Sequence, residues 1–240
     1  IEDYLAGNRI KIMVDGKYFS KNIDVKEVEK FIGMLNDCGV HKGLLITQEG
    51  YSDAAIERAY NDPLDVELDI LNFKELQQFQ AFDAIPYAGN HGALVPAPFG
   101  WVIDAQQYGF VLATIYQRGL SLEQAQKNNE WMYVNYWNRN DDEASNLQEL
   151  LESQAGKIKE NFPDAEITYQ KTIKRDNYET TLRKSLIETY PAPEYTGFIE
   201  FDDFIFFCTL FSTVELESKN IRKLEHILSK TMPIKMKQSE

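Results

Sequence analysis

The residues best suited to chemistry in this chain are an acid and a lysine two positions apart, Asp15 and Lys17, at the end of an alternating apolar segment. Residues two apart in a β-strand lie on the same face of the sheet. Hydrolysis of a phosphodiester uses such a pair, because a carboxylate binds Mg²⁺ and an ammonium group orients the attacking water. Asp-x-Lys tripeptides are also common on solvated strand faces. By itself, therefore, the pair favours a solvated face over a metal site.

The elements around this pair are predicted to alternate between strands and helices over residues 1–78. Residues 9–14 alternate basic and apolar side chains, which is the pattern of a half-buried strand. Asp24 can cap the helix that follows, and Gly39 can end it. The predicted order of the remaining elements is a buried parallel strand over 40–47, a short helix from Ser52 to about Tyr60, a strand over 66–70 and a short helix over 73–80.

Five blocks of this region resemble, in their order and spacing, the Mrr-like restriction endonuclease domain of the PD-(D/E)xK nuclease superfamily. The resemblance covers about residues 3–75, and its blocks are 14–19, 23–25, 28–33, 39–47 and 50–59. It implies that Asp15 is a metal-binding acid, that the Gly16 carbonyl adds a metal ligand, and that Lys17 is the catalytic lysine. The family usually has Glu at the first of these positions, so the acid here is one methylene shorter.

The same resemblance implies a second metal-binding acid upstream, and Asp3 is the candidate by the family's spacing. A two-residue hairpin turn between the two strands would pair Asp3 with Ile12 and Glu2 with Met13. Glu2 would then share the face of Asp15, whereas a bulge or a longer turn would restore Asp3. Both acids remain open at this point.

The resemblance thus implies Asp3, Asp15 and Lys17 as catalytic residues, and Asp3, Asp15 and Gly16 as ligands of Mg²⁺ or Mn²⁺. The family has a helical region ahead of the first acid that this sequence lacks. We therefore expect the nuclease domain to be short at its N-terminus, and the chain, which starts at Ile, to be a fragment or a processed form.

From about residue 79 the sequence changes character and becomes dense in aromatic residues, which predicts a domain boundary near residue 80. The two domains are then 1–80 and 81–240. The second is predicted to be α+β, with strands and helices in the following order: a strand over 110–116, a helix from Ser121 towards Trp137, a helix from Leu147 to Phe162, strands over 166–174, 180–188, 197–201 and 204–211, and a helix over 216–230. The fold class is an α/β restriction-endonuclease-like domain followed by an α+β domain.

Three segments of the second domain distantly resemble the PsbP-like α/β/α fold. They are the entry 98–103, the hairpin 197–207 and the helix end 227–230. This resemblance implies a binding or adaptor module and no particular chemistry.

Other polar and aromatic candidates favour structural interpretations. His41, His91 and His226 are predicted to be solvated or packed rather than catalytic. Core or interface packing is favoured over base stacking for the aromatic group Trp131, Tyr133, Tyr136 and Trp137. A solvated sheet face is favoured over phosphate contact for the basic cluster Lys171, Lys174, Arg175, Arg183 and Lys184. The sequence has neither zinc-ligand spacing nor a P-loop, which excludes P-loop nucleotide hydrolysis.

Composition narrows the function classes further. The 240 residues carry a formal net charge of -13, which argues against DNA binding by bulk electrostatics but not against a nuclease, whose metal ligands are acidic. Cys38 and Cys208 are predicted to be buried free thiols, which fits a cytoplasmic protein. The sequence shows no membrane span and no signal peptide.

Two functions follow as expectations. The favoured one is an Mg²⁺-dependent DNA endonuclease of restriction or defence type, which binds DNA through its first domain. The alternative is a catalytically inactive nuclease fold that acts as a binding or regulatory module. In either case the second domain is expected to contact a protein partner or to form a homodimer.

Overall fold

A computed structural model describes residues 2–5, 8–60, 67–72, 83–139, 144–174, 178–190 and 192–235 of the chain. It divides into two compact units, 1–80 and 81–240, which we call unit 1 and unit 2. None of the described helices is both long and apolar enough to cross a membrane.

Unit 1 contains a four-stranded mixed sheet of order β1-β2-β3-β4. Its elements are β1 (Glu2–Leu5), β2 (Asn8–Lys17), α1 (Val25–Asp37), β3 (Lys42–Thr47), α2 (Asp53–Tyr60) and β4 (Glu67–Asn72). β1 runs antiparallel to β2, whereas β2, β3 and β4 are mutually parallel. This order confirms the predicted alternation of strands and helices. The helix predicted over 73–80 lies outside the described residues.

Helix α1 shows why the local sequence folds as predicted. The Asp24 side chain accepts hydrogen bonds from the backbone N–H groups of Lys26 and Glu27, which satisfies donors at the helix start. After the helix, Gly39 adopts a φ of +57°, which favours glycine. The apolar face of α1 packs on β3, and the two elements approach so closely at Gly43 that a Cβ there would overlap Leu35.

Unit 2 is built on a seven-stranded antiparallel sheet of order β11-β12-β13-β14-β10-β9-β8. Its elements are β5 (Asp83–Ala84), β6 (Tyr87–Ala88), β7 (His91–Pro96), β8 (Trp101–Asp104), β9 (Ala113–Gln117), α3 (Leu122–Lys127), β10 (Trp131–Asn138), α4 (Leu147–Asn161), β11 (Glu166–Lys174), β12 (Glu179–Leu186), β13 (Glu194–Glu200), β14 (Phe204–Phe211), α5 (Glu217–Lys230) and β15 (Met232–Lys235). A smaller sheet pairs β7 with β15, β5 and β6.

The predicted helix from Ser121 towards Trp137 is wrong beyond its first turns. The capping box of Ser121 and Gln124 is present, but α3 ends at Lys127 and Asn129 adopts a left-handed φ of +53°. The aromatic segment that follows is strand β10, in which Met132 and Val134 are buried at alternate positions. Period-2 burial and bulky side chains favour a strand over continuation of a helix.

A helix packs on each face of the seven-stranded sheet. On one face, Leu224, Ile227 and Leu228 of α5 join the largest apolar cluster of unit 2. On the other face, Leu147 and Leu150 of α4 pack with aromatic and aliphatic residues of β13 and β14. The sheet-plus-helix character predicted for this unit is confirmed.

A row of polar side chains crosses all seven strands on the α4 face. Strand pairing aligns its members, one from each strand: Asp104, Thr114, Tyr133, Thr209, Thr196, Arg183 and Tyr169. The Thr196 and Thr209 hydroxyls are 3.1 Å apart, and Arg183 Nη2 donates to Thr196 Oγ1 at 3.0 Å. We call this set the polar row.

Candidate functional site

The candidate site of unit 1 lies at the carboxyl end of β2, where Asp15 and Lys17 project from the same face. Lys17 Nζ and Asp15 Oδ2 form an ion pair of 2.9 Å, and their side chains are 29% and 27% exposed. The structure therefore brings together two of the three catalytic residues predicted from the sequence, within reach of solvent.

The sheet holds this pair in position through β3. Asp15 is aligned with Leu45 and Lys17 with Thr47 in the parallel β2–β3 ladder. Leu45 is fully buried, and Met13, two residues before Asp15, packs against the same apolar cluster. The acid and the lysine thus lie where the buried part of this face gives way to solvent.

Gly16 separates the two charged residues and lies beside open space. A Cβ built on Gly16 would meet no atom within 4 Å. The Asp15 carboxylate and the Gly16 carbonyl are oxygen donors, which is the ligand type that Mg²⁺ prefers. Mg²⁺ commonly takes only one or two protein carboxylates and completes its shell with water and phosphate oxygens. These two residues therefore fit part of a magnesium site.

The structure does not bring Asp3 alongside Asp15. In the β1–β2 ladder Asp3 is aligned with Ile10, and Glu2 with Lys11. A two-residue turn at Gly7-Asn8, one of the two alternatives considered, would pair Asp3 with Ile12, and the observed pairing differs from it by two residues. A difference of two residues leaves each β1 position on the same face of the sheet. Glu2, which is aligned with Lys11, is therefore the β1 position on the face of Asp15.

The distance along the strand is too large for a shared ion in this register. Ile10 precedes Asp15 by five residues, which at about 3.3 Å per residue separates the Asp3 and Asp15 positions by about 16 Å along the strand. Two oxygens bound to one Mg²⁺ are at most about 4 Å apart. No group of three His, Cys, Asp or Glu side chains that could hold a metal occurs among the described residues.

Thr47 is a neighbour of the site that the sequence reasoning missed. It is aligned with Lys17 on the adjacent strand and is fully buried. Its hydroxyl has no hydrogen-bond partner among the residues that the structure describes. The available sequence signal was a polar residue directly after the apolar run of residues 44–46.

The other candidates have structural roles. His41 Nδ1 accepts from the Lys11 backbone N–H, at the edge of the β2–β3 pair. Trp131 stacks on Phe211 with ring centroids 4.8 Å apart, and the Tyr136 hydroxyl donates to the Pro86 carbonyl at 2.7 Å. These contacts agree with packing of the aromatic group.

One member of the basic cluster, Arg183, does not lie on the solvated face that was expected. Arg183 is 5% exposed and donates to Gln154, Glu194 and Thr196, so the expectation of a solvated side chain is wrong there. Lys184 pairs with Glu217 at 3.1 Å. Arg175 lies outside the described residues.

One family model matches the first part of the chain. Residues 3–79 match the family model Mrr_cat, described as a restriction endonuclease. This match confirms the resemblance predicted for unit 1. A search of curated proteins gives no match.

Among solved structures, the chain is similar to the solution structure of cyanobacterial PsbP (CyanoP) from Synechocystis sp. PCC 6803. The two share 12% sequence identity with a TM-score of 0.40, and the likeness covers 64% of this chain and 94% of that one. PsbP is the fold that three segments of the second domain distantly resemble in sequence.

Proposed function

We propose that unit 1 is an Mg²⁺-dependent endonuclease that hydrolyses DNA phosphodiesters in the cytoplasm, in defence against foreign DNA. The observation that carries the proposal is the Asp15–Lys17 ion pair at the solvent-facing end of β2. It occurs within residues 3–79, which match a restriction endonuclease family model.

Each residue of the pair has a distinct task in this proposal. Asp15 and the Gly16 carbonyl would hold the metal ion, which supplies Lewis acidity at the phosphate. Lys17 donates hydrogen bonds that orient the attacking water and stabilise negative charge on the phosphate oxygens. The 2.9 Å contact with Asp15 keeps the lysine in place before substrate binds.

The second metal-binding acid needs a different β1 register from the one described. We propose Asp3 for this role, as the family's spacing implies, with a bulge or a longer turn between β1 and β2 bringing it to the face of Asp15. Glu2 is the competing candidate because its position lies on the same face of the sheet as Asp15.

One experiment tests the site. Plasmid and single-stranded DNA are incubated with the whole chain and Mg²⁺ or Mn²⁺, and Asp15→Asn and Lys17→Ala are compared with wild type. We expect each substitution to lower the cleavage rate by about a hundredfold or more, because each removes charge stabilisation at the reacting phosphate. Lys11→Ala is the matched control, since it lies on the same strand four residues from Asp15 and has no role in the proposed site.

The upstream acids are tested in the same assay with Asp3→Asn and Glu2→Gln. Loss of cleavage in Asp3→Asn alone supports a shifted β1 register. Loss in Glu2→Gln alone overturns the assignment of Asp3. Cleavage that survives Asp15→Asn and Lys17→Ala overturns the whole site.

A second function is favoured by the separation of Asp3 from Asp15. In this alternative the nuclease fold is catalytically inactive, and the protein binds or regulates a partner through unit 2. It predicts no metal-dependent cutting by wild type, together with no measurable change in Mg²⁺ affinity between wild type and Asp15→Asn.

A further inference from the structure

We propose that strand β11 of unit 2 is an interface with a second copy of this chain, formed by antiparallel pairing of β11 with its symmetry mate. β11 is the terminal strand of the seven-stranded sheet and is paired on one side by β12. No strand that the structure describes pairs with its other edge. At nine residues, it is a long edge to leave unpaired.

The sequence of β11 is complementary to itself about its central residue. β11 reads Glu-Ile-Thr-Tyr-Gln-Lys-Thr-Ile-Lys from position 166 to position 174. A two-fold axis at Gln170 would pair Glu166 with Lys174, an acid with a base. It would also pair the two Ile residues with each other and the two Thr residues with each other, and would place Tyr169 opposite Lys171.

Each of these pairings is favourable between antiparallel strands. Opposite charges, β-branched residues and threonines directly across from one another all stabilise a sheet. A lysine opposite a tyrosine offers a cation–π contact. A two-fold ladder of this length would form about eight to ten backbone hydrogen bonds. The self-complementary sequence therefore specifies one partner, a second copy, and one register.

The part of β11 that precedes the irregularity in its pairing with β12 is exposed to solvent. Glu166, Thr168, Tyr169 and Gln170 are exposed. These four residues span the first half of the strand, where the ladder with β12 is unbroken.

One feature opposes the pairing. The β11–β12 ladder contains one extra β11 residue between Lys171 and Lys174. Bulges near edges bend a strand and discourage pairing. The proposed ladder is therefore centred on Gln170 and is most regular there, whereas the bulge bends the strand near the Glu166–Lys174 pairs at its two ends. A weak dimer that depends on concentration follows.

Sedimentation velocity of the whole chain over a concentration series at low salt tests this interface. Glu166→Lys and Lys174→Glu each turn two attractive pairs of the dimer into repulsive ones, so each should weaken dimerisation about ten- to thirtyfold. The double variant Glu166→Lys/Lys174→Glu restores opposite charges and should recover wild-type dimerisation. Glu123→Lys, on the exposed surface of α3, changes the net charge by the same amount and should have no effect.

Two results would overturn the inference. One is a wild-type chain that stays monomeric up to its solubility limit. The other is a dimer that both single variants leave unchanged, which would place the interface elsewhere. The inference does not depend on nuclease activity, so loss of cleavage in the site variants leaves it untouched.

Discussion

Replacing glycine by alanine at two positions of unit 1 should have opposite effects on stability. At Gly43, in β3, the new Cβ would lie 2.4 Å from Leu35 Cδ1 and 2.9 Å from Phe31 Cε1. Both neighbours are almost fully buried, and β3 is paired on both sides, so neither the helix nor the strand can easily move away. At Gly33, on the exposed side of α1, a Cβ would meet nothing within 4 Å.

The magnitudes follow from these distances. Overpacking of a close-packed core costs about 1–3 kcal/mol, and we expect Gly43→Ala to lie near 3 kcal/mol because all three contacts are shorter than 3.0 Å. Gly33→Ala should stabilise by about 0.5–1 kcal/mol, because alanine restricts the unfolded chain and favours a helix. For a unit of this size, about 4–8 °C of melting temperature corresponds to each kcal/mol.

Circular dichroism during thermal unfolding measures both variants. All three tryptophans, Trp101, Trp131 and Trp137, lie in unit 2, so tryptophan fluorescence reports on that unit and circular dichroism is needed for unit 1. A melting temperature that does not fall in Gly43→Ala would refute the close approach of α1 and β3.

Two further predictions concern the cysteines and the pH dependence of stability. Cys38 is exposed, so the prediction that it is buried is wrong, whereas Cys208 is buried, where burial raises the pKa of its thiol. A thiol reagent should therefore modify one cysteine per native chain and two after unfolding. Burial alone would raise the pKa of Glu217, but the neighbouring Tyr195 hydroxyl and Lys184 ammonium lower it below the ordinary value of 4.5. A lowered carboxyl pKa adds stability above pH 4.5 that is lost as the pH falls through the lowered value. Glu217→Gln should therefore be less stable than wild type at pH 7 by about 0.2–1 kcal/mol, and denaturant titrations should show this gap narrowing as the pH falls below 4.5.

Local signals in the sequence predicted unit 1 well. Helix α1 has a capping residue at Asp24, apolar residues at helical spacing and a glycine at Gly39, and all three signals agree. When capping, periodicity and turn chemistry indicate the same element, its type and bounds can be predicted without knowledge of tertiary contacts.

The same kind of signal failed at Ser121. Its capping box correctly predicts the start of α3 but carries no information about the end of the helix, which Asn129 sets by adopting a left-handed conformation. The aromatic residues of β10 could belong to either a helix or a strand until their burial is known. Pairing with β9 and β14 decides for the strand, and β14 is about 70 residues further along the chain.

The residues of the candidate site also differ in whether local sequence or strand pairing determines their position. Asp15 and Lys17 were predicted because two residues on one strand suffice to place them together. The position of Asp3 depends on the register of a hairpin, and a turn placed differently by one residue shifts the pairing by two. Thr47 was missed because its proximity to Lys17 arises from pairing of β2 with β3 across a helical connection.

The polar row fixes how the strands of unit 2 are aligned. A strand that slides by two residues keeps every side chain on its own face, so the apolar pattern alone tolerates the error. For β13, such a slide would carry Thr196 away from Thr209 and towards Phe207 or Phe211, and would leave the buried Arg183 guanidinium without that partner. A hydrogen bond to a charged group contributes about 1.5–3 kcal/mol. The polar row thus makes one register more stable than its neighbours, so that strands distant in sequence pair in a single alignment.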